Sequence, residues 1–79
     1  MERMTAFERE IKNVLQDAFA MLRSPVLYTV NTNAMIRRVK ETAEKANHSG
    51  YGYSEQFLQQ TADRLERRLL ALSPSTARL

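Results

Sequence analysis

"PVLYTVNTN", residues 25–33, decides between two fold classes. Val26, Tyr28, Thr29 and Val30 are β-branched or aromatic, the residue types that favour extended backbone. Ser24 followed by Pro25 is equally a good helix N-cap and first helical residue. No second strand exists elsewhere in the sequence to pair with this one, and a lone strand is not stable. The segment therefore reads as an irregular or helical connector, and the chain as all-α.

The sequence on either side supports that reading. Upstream, Thr5-Ala6-Phe7-Glu8 matches the Ser/Thr-x-x-Glu capping box, which starts a helix at Ala6. Phe7, Ile11, Val14, Leu15, Ala18, Phe19 and Leu22 follow at helical spacing, in a stripe broad enough to be a core face. Pro25 disfavours helix in the residue before it, so this helix ends near Arg23 or Ser24. Downstream, Asn31, Thr32 and Asn33 are all competent N-caps for a helix over 34–47. Its apolar face is thin: Met35, Ile36, Val39, Ala43 and Ala46. Arg37/Glu41, Lys40/Glu44 and Glu41/Lys45 are opposite charges at i,i+4, so this polar helix is expected to be mostly exposed or covered only in part.

"NHSGYGYS", residues 47–54, breaks the chain again. Asn47 or Gly50 supplies the left-handed residue after a helix end, and Ser54 is placed to cap the next helix. That helix, 55–73, carries Phe57, Leu58, Thr61, Ala62, Leu65, Leu69 and Leu72 on one stripe. Pro74 stops it, and residues 74–79 read as a short frayed tail. The expectation is a single helical domain over 1–79: a small bundle of three helices, the last two forming an antiparallel helical hairpin.

A chain of 79 residues buries only roughly 60–65% of its unfolded surface, so its stability is marginal. Domains of this size are commonly stapled by disulfides, a metal or a partner chain. The sequence has no cysteine and one histidine, His48, which removes disulfides and both Cys-type and His-rich metal sites. A partner chain remains, as another protein or a second copy. Twelve Lys/Arg against nine Asp/Glu give a formal charge of +3, with the signs interspersed along the chain. No apolar run approaches the roughly 20 residues that cross a bilayer. "MERMTAFERE" has acids early and no apolar h-region, so it does not read as a secretory signal. The expected localisation is cytoplasmic, with no membrane contact.

Catalytic constellations are missing from the sequence. Gly50 and Gly52 lack the Lys and Ser/Thr context of a phosphate loop. His48 has no cysteine nearby, Asp63 and the serines are scattered, and the histidine lies where it can meet the last carbonyls of a helix. The sequence therefore implies no enzyme, cofactor or metal.

Binding residues are better represented. Arg64, Arg67 and Arg68 share one helix face, and Arg37, Arg38 and Lys40 form a second basic cluster. Each cluster is either a phosphate-binding surface or a solvated face, and interrupting acids favour the solvated face. Leu70 lies about 100° from Leu69, outside the stripe set by Phe57 to Leu72, which places an apolar side chain where a partner can reach it. Tyr51 and Tyr53 either fold back to plug the end of the hairpin or anchor a partner, and so small a core favours the plug. Leu70, Tyr51, Tyr53, Phe57, Arg64 and Arg67 are the candidate partner-binding residues.

"GYSEQFLQQTADRLERRLLALS", residues 52–73, resembles the second helix of the YscE/PscE-type needle co-chaperones of type III secretion systems. The resemblance is carried by Glu55, Gln56, Phe57, Gln59, Gln60, Ala62, Leu65 and Glu66, after a short Gly-containing turn. It implies a helical hairpin that joins a second, TPR-like chaperone to hold the needle subunit before polymerisation. The leading expectation is thus a non-enzymatic protein–protein interaction protein, which the resemblance makes such a co-chaperone. The alternative is a small basic helical regulatory protein associating with nucleic acid.

Overall fold

The computed structural model describes residues 4–72, which form three helices in an all-α bundle: α1 (Ala6–Arg23), α2 (Thr29–His48) and α3 (Gly52–Leu72). The expected helix end at Ser73 and the tail over 74–79 lie outside the described residues. Among the described residues, no helix is long and apolar enough to cross a membrane.

α1 keeps the bounds its sequence signals predict. The Glu8 N–H donates to Thr5 Oγ1 at 3.0 Å and the Thr5 N–H donates to Glu8 Oε1 at 2.8 Å, completing the capping box. At the other end the Ser24 N–H donates to Met21 O at 3.1 Å. Arg68 of α3 reaches across and donates to Leu22 O, and to Ser24 O at 2.9 Å. A guanidinium on the last carbonyls answers both their unfilled acceptor capacity and the negative end of the helix dipole.

α2 starts five residues earlier than its polar residues predict. Residues Ser24–Tyr28 make an irregular connector, with the Ser24 hydroxyl donating to Val26 O at 2.8 Å. Asn31, Thr32 and Asn33 are not caps but lie inside the helix. The Thr32 N–H donates to Tyr28 O at 2.8 Å, and the N-cap, Tyr28, supplies no side-chain bond. The reason is packing. Thr32 continues the buried row Ile36, Val39, Ala43 and Ala46 by one more step of four, and burying that turn outweighs the weak local helix preference of Thr29 and Val30.

α2 is mostly exposed and covered only in part, as its composition suggests. It packs on both neighbours, and its thin face is fully used: Thr32, Ile36, Val39, Thr42, Ala43 and Ala46 are all buried. Its charges reach across to the neighbouring helices. Arg38 pairs with Asp17 of α1 at 2.9 Å, Lys45 with Glu10 of α1 at 3.1 Å, and Lys40 with Glu66 of α3 at 3.3 Å. The expected Lys40/Glu44 and Glu41/Lys45 pairs give way because these lysines flank the packed faces, where an acid of the next helix is within reach. Rising α1 numbers meet falling α2 numbers, so α1 and α2 are antiparallel. Each such surface pair contributes at most about 1 kcal/mol, and its greater effect is on register.

The turn into α3 takes only Ser49–Tyr51. Gly50 adopts φ +82°, and its N–H donates to Asn47 O at 3.3 Å while the Tyr51 N–H donates to Ala46 O at 2.8 Å. These two bonds and the left-handed glycine form a Schellman motif. The Tyr51 carbonyl then accepts from the Glu55 N–H at 2.9 Å. α3 therefore begins at Gly52, and Ser54 lies in its first turn rather than capping it. His48 does not meet the last carbonyls of α2, which these backbone donors occupy. Its Nε2 lies 4.0 Å from Glu44 Oε1, in solvent. So tight a turn makes α2 and α3 an antiparallel hairpin, with α1 parallel to α3.

The core is built from Ile11, Val14 and Ala18 of α1, the α2 row, and Leu58, Ala62 and Leu65 of α3. Buried threonines complete it. Thr42 Oγ1 donates to Arg38 O and Thr61 Oγ1 to Phe57 O, both at 2.8 Å. Thr32 is 0% exposed and its Oγ1 has no partner.

Two tests follow from this packing. A Cβ at Gly50 or at Gly52 meets nothing within 4 Å, so alanine at either site probes the backbone alone. Gly50→Ala must hold a left-handed conformation and is expected to cost about 1–2 kcal/mol, lowering the melting midpoint by about 4–8 °C per kcal/mol. Gly52→Ala gains helix preference and should raise the midpoint. Equal shifts in thermal melts would refute the Schellman geometry. Thr32→Val keeps the shape and removes an unpaired hydroxyl whose burial costs about 1–3 kcal/mol. It should increase stability in urea unfolding, and a lower midpoint would show that the hydroxyl is bonded.

Candidate partner-binding face

At 3.6 residues per turn, Tyr53, Phe57, Gln60, Arg64 and Arg67 fall on one stripe of α3 about 80° wide. This stripe adjoins the buried row of Leu58, Thr61 and Leu65, on the side that faces α1. Two contacts fix that side: the Phe57 ring lies 5.7 Å from the Phe19 ring, and Arg68 holds the end of α1. Tyr53 is 93% exposed and Phe57 45% exposed. The structure thus brings together four of the six residues expected to meet a partner.

The other two lie elsewhere. Leu70 is 68% exposed and sits about 100° around α3 from the centre of the stripe, on the flank that carries Asp63 and Glu66. Tyr51 is half-buried, its ring edge-on to Phe7 at 5.4 Å. It plugs the hairpin end as expected, but Tyr53 does not. Once α3 starts at Gly52, position 53 points away from the core row that begins at Leu58.

α1 supplies a second wall that the sequence reading did not single out. Lys12 and Arg23 lie seven residues before and four residues after Phe19, so the three share the α1 flank next to α3. Their spacing was visible, but Phe19 alone read as core, and only its pairing with Phe57 shows which neighbour that flank meets.

Charge is sorted between the faces. Arg38, Lys40 and Lys45 are held in the ion pairs of α2, and Arg68 is held by α1 carbonyls. Lys12, Arg23, Arg64 and Arg67 form no ion pair among the described residues. Two acids border this side: the Glu8 carboxylate accepts from the Thr5 N–H at 2.8 Å, and Asp63 lies four residues before Arg67 at the edge of the stripe. On the opposite side, the open groove between α2 and α3 is lined by Glu44, Glu55 and Asp63, with Lys40. A sequence with interspersed signs therefore folds into a bundle with a basic aromatic face and an acidic groove.

A second exposed apolar group, Val26, Tyr28 and Val30, lies at the α1–α2 connector. Among the described residues, no three His, Cys, Asp or Glu side chains converge as metal ligands would. No known protein family, curated protein or solved structure matches the chain, so the functional reading rests on this geometry.

The contrast between Leu65 and Leu70 gives a test of which apolar residues belong to the fold. Leu65 is 0% exposed, and aspartate there would bury a charge with no counter-ion at a cost of several kcal/mol. That is comparable to the total stability of about 4–12 kcal/mol expected at this length. Leu65→Asp should abolish helix content in circular dichroism, whereas Leu70→Asp should leave it nearly unchanged. If both unfold the chain, Leu70 is core.

Proposed function

We propose that this chain is a non-enzymatic interaction protein that docks its α1/α3 face on another protein chain in the cytoplasm. One observation carries the reading: of two large aromatics one turn apart, Tyr53 is left almost wholly in water and Phe57 nearly half exposed, by a domain whose core is small. Tyrosine and arginine are the residues most enriched among the anchors of protein interfaces, and here Arg64 and Arg67 continue the same stripe. In the more specific form of the proposal, the partner is a TPR-like chaperone and the cargo a secretion needle subunit. The resemblance of residues 52–73 to needle co-chaperones supports that form, and the α2–α3 hairpin has the shape it implies.

The nucleic-acid reading has less support. Arg38, Lys40 and Arg68, half of the six residues that made up the two basic clusters, are engaged within the bundle. Lys12 and Arg23 partly offset that loss.

The test is a Tyr53→Ala/Phe57→Ala double variant in the source cell. Both positions are at the surface, so the variant should keep its helix content. The natural chain should elute from size exclusion of cell extract in a complex well above its own 9.1 kDa, and the double variant mainly as the free chain. Elution of both as the free chain, or of both in the complex, would overturn the assignment of this face.

A further inference from the structure

Resting on that reading, we infer that the α1/α3 face takes an acidic amphipathic helix, bound antiparallel to α1 and α3, as the fourth helix of a bundle. The argument is one of charge and shape together. The aromatic part of the face, Tyr53 and Phe57, lies toward the start of α3, and Arg64 and Arg67 lie two to four turns further on. Arg23, the last residue of α1, lies at the same end as these two arginines, because Arg68 joins the two helix ends there. Three of the four unpaired cations of the face, Arg23, Arg64 and Arg67, thus lie at one end, and the rings, with Lys12 of α1, toward the other. From Tyr53 to Arg67 the stripe runs about 21 Å, the length of a helix of about 14 residues.

A helix that fits this surface carries apolar residues at i, i+4 and i+7 in one half and carboxylates in the other. Two parallel helices present a groove that a third helix fills antiparallel, as in up-down bundles. That direction places the N-terminal half of the incoming helix against Arg23, Arg64 and Arg67. Carboxylates are favoured in the first turn of any helix by its dipole, so the same residues that meet the arginines also stabilise the bound helix. Desolvating these arginines without a carboxylate opposite would be costly, which selects against neutral and basic helices.

The probe is a fluorescein-labelled peptide of about 18 residues, roughly 27 Å as a helix, with glutamates in its N-terminal half and leucines at i, i+4 and i+7 in its C-terminal half. A second peptide has the two halves exchanged. Anisotropy against the full chain should show binding by the first peptide that weakens as salt rises from about 0.05 to 0.3 M. Arg64→Glu/Arg67→Glu should lose at least about tenfold in affinity, and Arg64→Gln/Arg67→Gln should lose less, with helix content retained in both. The exchanged peptide should bind more weakly than the first. Equal binding by the natural chain and both variants, or no binding by the first peptide, would overturn the inference. Tighter binding of a single-stranded or duplex oligonucleotide than of the first peptide would overturn it in favour of nucleic acid. If the peptide fails while the Tyr53→Ala/Phe57→Ala variant still leaves the cellular complex, only the acidic-helix identity falls. If both fail, the functional reading falls with it.

Discussion

Tyr51 joins all three helices. Its N–H closes α2 on Ala46, its carbonyl opens α3 by accepting from Glu55, and its ring rests edge-on against Phe7 of α1. The first two roles depend on Gly50, whose φ of +82° lets the chain reverse in three residues. With so short a turn, α2 and α3 have no choice but to lie side by side, and the start of α3 is fixed at Gly52. The position of every α3 residue around the helix follows from that start. Tyr53 and Phe57 are thrown to the α1 side, Leu58 and Leu65 into the core, and Leu70 to the far flank.

The core that forms around this hairpin is made of small side chains. Ala18, Ala43, Ala46 and Ala62 are all buried, and threonine takes part at three positions. Small residues let helices approach closely, so that many weak dispersion contacts replace a few large apolar ones. Thr42 and Thr61 resolve the cost of a buried hydroxyl locally, by bonding the carbonyl four residues back. Thr32 has no such bond and keeps its place because its methyl group completes the buried row of α2. A core this lean leaves aromatic residues over, and Tyr53 and Phe57 remain at the surface.

Electrostatics then separates the surfaces. α2 lies between acids of α1 and α3 and uses three of its cations to hold them. This engages Glu10, Asp17 and Glu66; of the cations unpaired among the described residues, Lys12, Arg23, Arg64 and Arg67 lie together on the side that α2 does not reach, and Arg9 and Arg37 lie elsewhere. Surface pairs of this kind add little to stability. Their structural effect is larger, because they decide which cations remain available to another molecule.

The sequence by itself determined the helical class, the bounds of α1, the left-handed turn near Gly50 and the part of the α3 apolar row from Leu58 to Leu65. Each is a local matter: a capping box, a proline after the last turn, a glycine at a helix end, a 3.6-residue period. The start of α2 was not local. Asn31, Thr32 and Asn33 all look like caps until Thr32 is seen to extend a buried row, and only the neighbouring helices make that row worth extending. The partners of Lys40, Lys45 and Arg68 were likewise invisible, because they lie 26, 35 and 46 residues away in the chain and compete with nearer acids. The same holds for the candidate face. Tyr53, Phe57, Arg64 and Arg67 were legible as binding residue types, but Lys12, Phe19 and Arg23 joined them only when the bundle brought α1 parallel to α3, since a helix has two flanks and its sequence does not say which neighbour each will meet.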